Sequence, residues 1–327
     1  MRSWQRAIGS LFLAGILAVP AFSQAGSSRG PAQPGTLNYV EGQASIDSTP
    51  LNPNSVGTAL QAGQTISTQN GKAEMLLTPG VFLRVDSNSA VRMDSPDLVN
   101  TALTVQRGRA MVEVGQVLPA NNIVVNENGA SVRLEKRGLY EFDANQNTVR
   151  VFDGETQVIL NNHEYRVTGG HELALNGEKL KARGFDKKAA QDDFYRWASL
   201  RASYLAEANV DAARMYTGGY GWYGAGWYWD PYFSAYTWIP GDGLFWSPFG
   251  WGFFSPWVAG YAPFYGYGFG YGRAAYFHQF GPGYRPPAAV ASRAFGGGLA
   301  GRGVNPGFRG GFSGAMRGGG GFGGGRR

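Results

Sequence analysis

The chain has no cysteine among its 327 residues and only three histidines, His163, His171 and His278. Without cysteine there is no disulfide framework, no lipidated cysteine and no thiolate metal site. Three histidines are a poor supply for zinc, which takes about three or four matched ligands. Acidic residues are absent after Asp242, where eight arginines remain. The net charge of +6 therefore belongs to the tail, and the first 242 residues sum to −2. A basic tail is not a basic domain, so nucleic acid is not the expected partner. No Walker or dinucleotide fingerprint follows a strand. Asp192 and Asp193 are adjacent, and adjacent helix positions point apart, so they make no catalytic carboxylate pair. The chain is expected to be non-enzymatic, with no cofactor, no metal and no catalytic residue.

Arg2 and Arg6 precede an apolar run from Ala7 to Val19, which Pro20 ends before Ser23-Gln24-Ala25. A positive start, about 7–15 apolar residues and small residues at the exit make a secretory signal. The run is shorter than the roughly 20 residues that span a bilayer, and no later stretch is long and apolar enough to do so. Residues 1–25 are expected to be a signal peptide and 26–35 a flexible leader. The mature protein is then exported, to the periplasm or the cell surface or medium.

Residues 36–182 read as one β-domain. Val81, Leu83 and Val85 alternate with Phe82, Arg84 and Asp86; Ala110, Val112 and Val114 alternate with Arg109, Met111 and Glu113. Period two sends one set to a core and the other toward solvent. Asn70-Gly71, Pro79-Gly80, Asn128-Gly129, Asp153-Gly154 and Asn176-Gly177 are turn signals. About ten to twelve short strands at this spacing predict a compact, mainly β fold. A sandwich, a jelly roll or a short β-helix-like coil would each satisfy the pattern.

Leu60-Gln61-Ala62-Gly63-Gln64-Thr65-Ile66-Ser67-Thr68 resembles the opening segment of FecR-like domains. Gly71–Leu77 with Gly80–Val85 is similar to that family's paired strands, Val105–Val112 to its glycine-then-strand step, and Val149–Val158 to its closing segment. The resemblance covers residues 37–180. It implies the β-domain alone, because a secretory signal stands where FecR has its cytoplasmic sigma-factor-controlling segment. Lys136-Arg137-Gly138-Leu139-Tyr140 also lacks the family's threonine after the glycine. No ligand residue carries over.

Residues 186–216 read as a helix capped by Asp186, with Phe194, Trp197, Ala198, Tyr204, Leu205, Ala208 and Ala212 on one stripe. Gly218-Gly219 stops it. Residues 217–284 form a Gly/Tyr/Trp-rich segment; with Tyr216 they hold 28 aromatic residues and 16 glycines. Its prolines forbid a long central strand. Its rings could stack on sugars or bases, lie against a membrane or partner protein, or wrap the β-domain. Trp227, Tyr228, Trp229, Trp251 and Trp257 are the candidate partner or glycan contacts. Residues 285–327 read as a disordered Gly/Arg/Phe-rich tail, half glycine from 296 onward. Arg302, Arg309, Arg317, Arg326 and Arg327 are candidate polyanion contacts.

Together these features predict an exported FecR-like envelope protein that acts as a binding or scaffold module. Its C-terminal region would attach it to an anionic polymer, a membrane surface or an envelope protein. A periplasmic signalling module that binds a receptor segment and a polysaccharide-binding protein are the alternatives.

Overall fold

The structure is a computed structural model that describes residues 31–177 and 180–261. All of them belong to one unit, Met1–Tyr284. Residues 1–30, where the signal and most of the leader are expected, and the chain from 262 onward, including all five candidate tail arginines, lie outside the described residues.

The protein is mainly β. In chain order come β1 (Thr36–Ile46), β2 (Thr49–Pro50), β3 (Thr65–Leu76), β4 (Val81–Val85) and β5 (Ala90–Pro96). Next are β6 (Asn100–Arg107), β7 (Arg109–Val114), β8 (Asn122–Glu127), β9 (Ala130–Arg133) and β10 (Gly138–Asp143). Then follow β11 (Thr148–Asp153), β12 (Glu155–Leu160), β13 (His163–Thr168), β14 (His171–Ala174) and β15 (Arg183–Gly184). These fifteen strands join in one sheet, antiparallel throughout except where β6 pairs with β8.

The sheet has two arms that meet in β3. Thr65–Ser67 pairs with β5, leading to β6, β8, β9, β12 and β13. Ala73–Leu76 pairs with β4, leading to β7, β10, β11, β14 and β15. At the bend, Gly71 of β3 faces Gly42 of β1. A Cβ on Gly71 would lie 2.3 Å from the Glu41 carbonyl oxygen, and one on Gly42 would lie 2.1 Å from that of Asn70. Only glycine permits this approach. Asn70-Gly71 is thus a crease inside a strand, not the hairpin turn its sequence suggests. Pro79-Gly80, Asn128-Gly129 and Asp153-Gly154 do turn the chain, with positive φ at each glycine.

Both arms contribute inward side chains to one core. Ile66, Leu103, Val125 and Val158 come from the first, and Met75, Leu83, Val112, Tyr140 and Val149 from the second. The first arm alternates buried and open positions along β6 and β8, as a half-solvated sheet should. The second does not: β4 and β10 are buried at every position. Phe82, Arg84, Met111 and Glu113, expected to face solvent, are all buried.

The cause is a cover formed by the rest of the chain. α1 (Asp193–Met215) begins at Asp192, whose side chain accepts from the Tyr195 N–H. Asp186 instead closes a preceding turn, accepting from the Lys188 and Ala189 N–H groups. The helix cap therefore stands six residues later than the sequence suggests. After it come the hairpins β16 (Gly226–Asp230) with β17 (Ala235–Ile239) and β18 (Leu244–Trp246) with β19 (Gly252–Phe254). A short second helix, α2 (Pro256–Tyr261), follows. Pro231, Pro240, Pro248 and Pro256 fall just outside these strands, which keeps each one short.

A second apolar cluster joins cover to sheet: Leu76 and Phe82 from the sheet, Leu205 and Ala206 from α1, and Trp227, Tyr236, Trp238 and Phe253 from the hairpins. Trp238 is its centre. Its ring lies over Gly80 and Gly115, where an added Cβ would meet it at 3.0 Å in each case.

Candidate functional site

Beneath the cover, polar side chains stand in register across the second arm. Tyr39 of β1 pairs with Glu74 of β3, Glu74 with Arg84 of β4, and Arg84 with Met111 of β7. Met111 pairs with Glu141 of β10, Glu141 with Arg150 of β11, and Arg150 with Glu172 of β14. Directly opposed positions on one face lie close enough for opposite charges to bond. Arg84 Nε donates to Glu74 at 3.1 Å and its Nη1 to Glu113 at 2.6 Å. Arg150 bonds Glu141 at 2.5 Å and Glu172 at 2.9 Å.

The helix completes this network. Arg201 Nη2 donates to Glu74 at 2.8 Å, with its guanidinium 4.0 Å from the Tyr39 ring centroid. Burial alone would push the Glu74 carboxyl up; Arg201 and Arg84 outweigh it and hold it below the ordinary range. Arg109 ties Asp86 of the sheet, at 2.6 Å, to the helix cap Asp192, at 2.5 Å. Asp193 is exposed and pairs with Arg196. The two adjacent aspartates thus serve separate partners.

Two buried asparagines stitch the hairpins in place. The Asn38 amide donates to the Tyr236 carbonyl at 3.0 Å and accepts from its N–H at 2.8 Å, as a neighbouring strand would. Asn209 of α1 donates to the Trp238 and Phe254 carbonyls and accepts from the Phe254 N–H at 2.7 Å. The sequence does hold a signal for Arg201 and Asn209. Both fall at helical spacing inside the apolar stripe, between Trp197 and Ala212. Nothing in the sequence singles out Asn38.

The candidate contact rings separate into three groups. Trp227 and Tyr228 are buried. Trp227 donates its indole N–H to the Leu77 carbonyl and meets Phe82 edge-on at 5.1 Å. Tyr228 donates to the Gly224 carbonyl at 2.7 Å and stacks on Tyr223 at 4.5 Å; burial pushes its hydroxyl pKa up. These two face the protein itself. Trp229 and Trp251 are half-buried against the second cluster. Trp257 is 49% exposed and meets Trp222 edge-on. Tyr220 (92% exposed), Tyr223 and Trp246 are open rings that sequence reasoning passed over.

Among the described residues, no three His, Asp or Glu side chains are grouped to hold a metal ion. No described helix is long and apolar enough to cross a membrane. His163 Nδ1 bonds the Asn161 carbonyl, and His171 Nδ1 bonds the Thr168 hydroxyl.

No family model matches the chain, and no curated protein does. Two crystal structures from Parabacteroides distasonis, each described as a "putative anti-sigma factor" and solved at 2.50 and 1.65 Å, are similar at 15% and 14% identity. Each match covers 41% of this chain at a TM-score of 0.35, and this chain spans 64% of that one.

Proposed function

We propose that this is an exported, non-enzymatic envelope protein whose β-domain and cover form one rigid scaffold, and whose remaining C-terminal chain attaches it to an envelope component. The observation that carries the reading is how the aromatic residues are divided. Trp227, Tyr236, Trp238 and Phe253 lie in a core with the sheet. They are therefore not free to anchor anything. The chain after Tyr261 still holds all eight tail arginines, thirteen aromatic residues and no acid. That composition suits an anionic polymer, a lipid surface or an envelope protein. Washing envelope fractions that hold the full-length protein tests the chemistry. Release by about 0.5 M salt, where the screening length falls toward 3–5 Å, assigns retention to the arginines. Release by detergent alone assigns it to the rings, and release by plain buffer removes the reading.

A signalling module remains the alternative. The covered face of the second arm is occupied by α1, so a receptor segment would have to use the polar face of the first. Replacing Arg92, Thr104 and Arg133 on that face would then abolish receptor binding while envelope retention persists.

A further inference from the structure

We propose that the loop after α1, together with Trp257, forms a binding platform for a neutral polysaccharide. This goes beyond the envelope-attachment reading: it uses residues other than the tail and needs no retention on the envelope.

Tyr220 is 92% exposed, Tyr223 63% and Trp257 49%. Trp222 links them: it shares the loop with both tyrosines and meets Trp257 edge-on, with ring centroids 6.0 Å apart. Trp222 and Tyr216 pack on Ala212, Ala213, Tyr228 and Ile239, which seats the loop on the end of α1. Tyr223 is fixed by its stack on Tyr228 and by donating its hydroxyl to the Trp227 carbonyl at 2.8 Å. Rings held this way lose little freedom on binding, which favours affinity. Gly219 and Gly224 have positive φ, with open space where a side chain would stand. Bare backbone therefore lies beside the rings.

The chemistry selects the ligand. Thr217–Trp229 contains no charged residue, so nothing there matches an anion or a cation. Ring faces attract the C–H face of a pyranose, and tyrosine hydroxyls and bare backbone offer hydrogen bonds to its hydroxyls. A lipid surface favours Lys and Arg around its Trp, Phe and Leu side chains, and Thr217–Trp229 holds neither cation. Among the described residues, the exposed aliphatic side chains Leu98, Val99 and Leu118 belong to the β5–β8 side of the sheet, and Met215 alone, at the end of α1, adjoins the loop.

The test uses full-length mature protein with insoluble cellulose and amylose, cellohexaose in a tryptophan-fluorescence titration, and phosphatidylcholine vesicles. Binding to a glucan that resists 0.5 M salt is expected, weakened about tenfold or more by Tyr220→Ala with Trp257→Ala and unchanged by Trp246→Ala. If the double variant melts early, Tyr220→Ser alone, at the most exposed ring, must still weaken binding. The proposal is overturned by three results: no binding to either glucan, equal binding by the ring variants, or binding to vesicles in place of glucans. Envelope retention in the same cells reads the envelope-attachment proposal separately, because the tail is intact in every variant.

Discussion

Arg201 and Glu74 meet at 2.8 Å, 127 residues apart in sequence, with both side chains at most 2% exposed. This pair joins helix to sheet where water is excluded. A buried charge left without its partner is costly, so Arg201→Ala should destabilise by about 3–5 kcal/mol. Glu74→Gln should cost less, because its amide still accepts from one arginine. A urea double-mutant cycle of Arg201→Met with Glu74→Gln should show coupling of at least about 1 kcal/mol. Additive effects would mean that the helix is not held by this pair.

Trp238 and Gly80 give the second prediction. Gly80 has φ +87°, and the Trp238 ring occupies the space of a side chain. Gly80→Ala should destabilise by about 1–3 kcal/mol through strain and overpacking. Trp238→Ala should cost about 3–5 kcal/mol. In the double variant the alanine Cβ no longer meets the indole, so the combined loss should fall short of the sum; equilibrium unfolding reads this directly.

Asn209 bonds three backbone groups of the hairpins. Asn209→Leu should strand those groups and cost about 2–4 kcal/mol. Hydrogen exchange should quicken in Ala235–Phe254 before it quickens in β6 or β8. Uniform quickening would place Asn209 in a global role instead.

The pH profile has a definite sign. Burial, then the Asp143 charge, pushes the Glu127 carboxyl up to about 8, and burial pushes Glu141 up to about 7 against Arg150 and Arg109. In the unfolded chain both ionise near 4.5. The folded state therefore binds more protons in between, and stability falls as pH rises from about 4.5 to 8. Glu74 acts oppositely: its lowered value contributes stability above 4.5, lost as pH falls through the folded value. Glu127→Gln should flatten the decline between pH 5 and 9 in denaturant titrations; an unchanged slope would remove Glu127 from the account.

Much of the β-domain was legible because period two marks its strands and glycine marks its turns. Val81, Leu83 and Val85 face the core as their spacing predicts. The same rule misplaced Phe82 and Arg84, since alternation cannot show whether the second face is later covered. Asn70-Gly71 misled for a related reason: glycine serves close approach as well as turning. Asp186 and Asp192 carry identical capping chemistry, and only packing of the helix start against Arg109 decides between them. The rings of 227–254 read equally well as anchor or wrapping. Their partners, Gly80 and Gly115, are more than a hundred residues away in sequence.

Fractionation of cells producing the full chain, 1–261 and 1–216 tests the central claim most directly. The account predicts that the full chain stays with the envelope. Form 1–261 should be released as a stable, cooperatively unfolding protein. Form 1–216, stripped of Trp227, Trp238 and Phe253, should aggregate or be degraded. Retention of 1–261 on the envelope equal to that of the full chain would contradict it, and so would a 1–216 form as stable as 1–261.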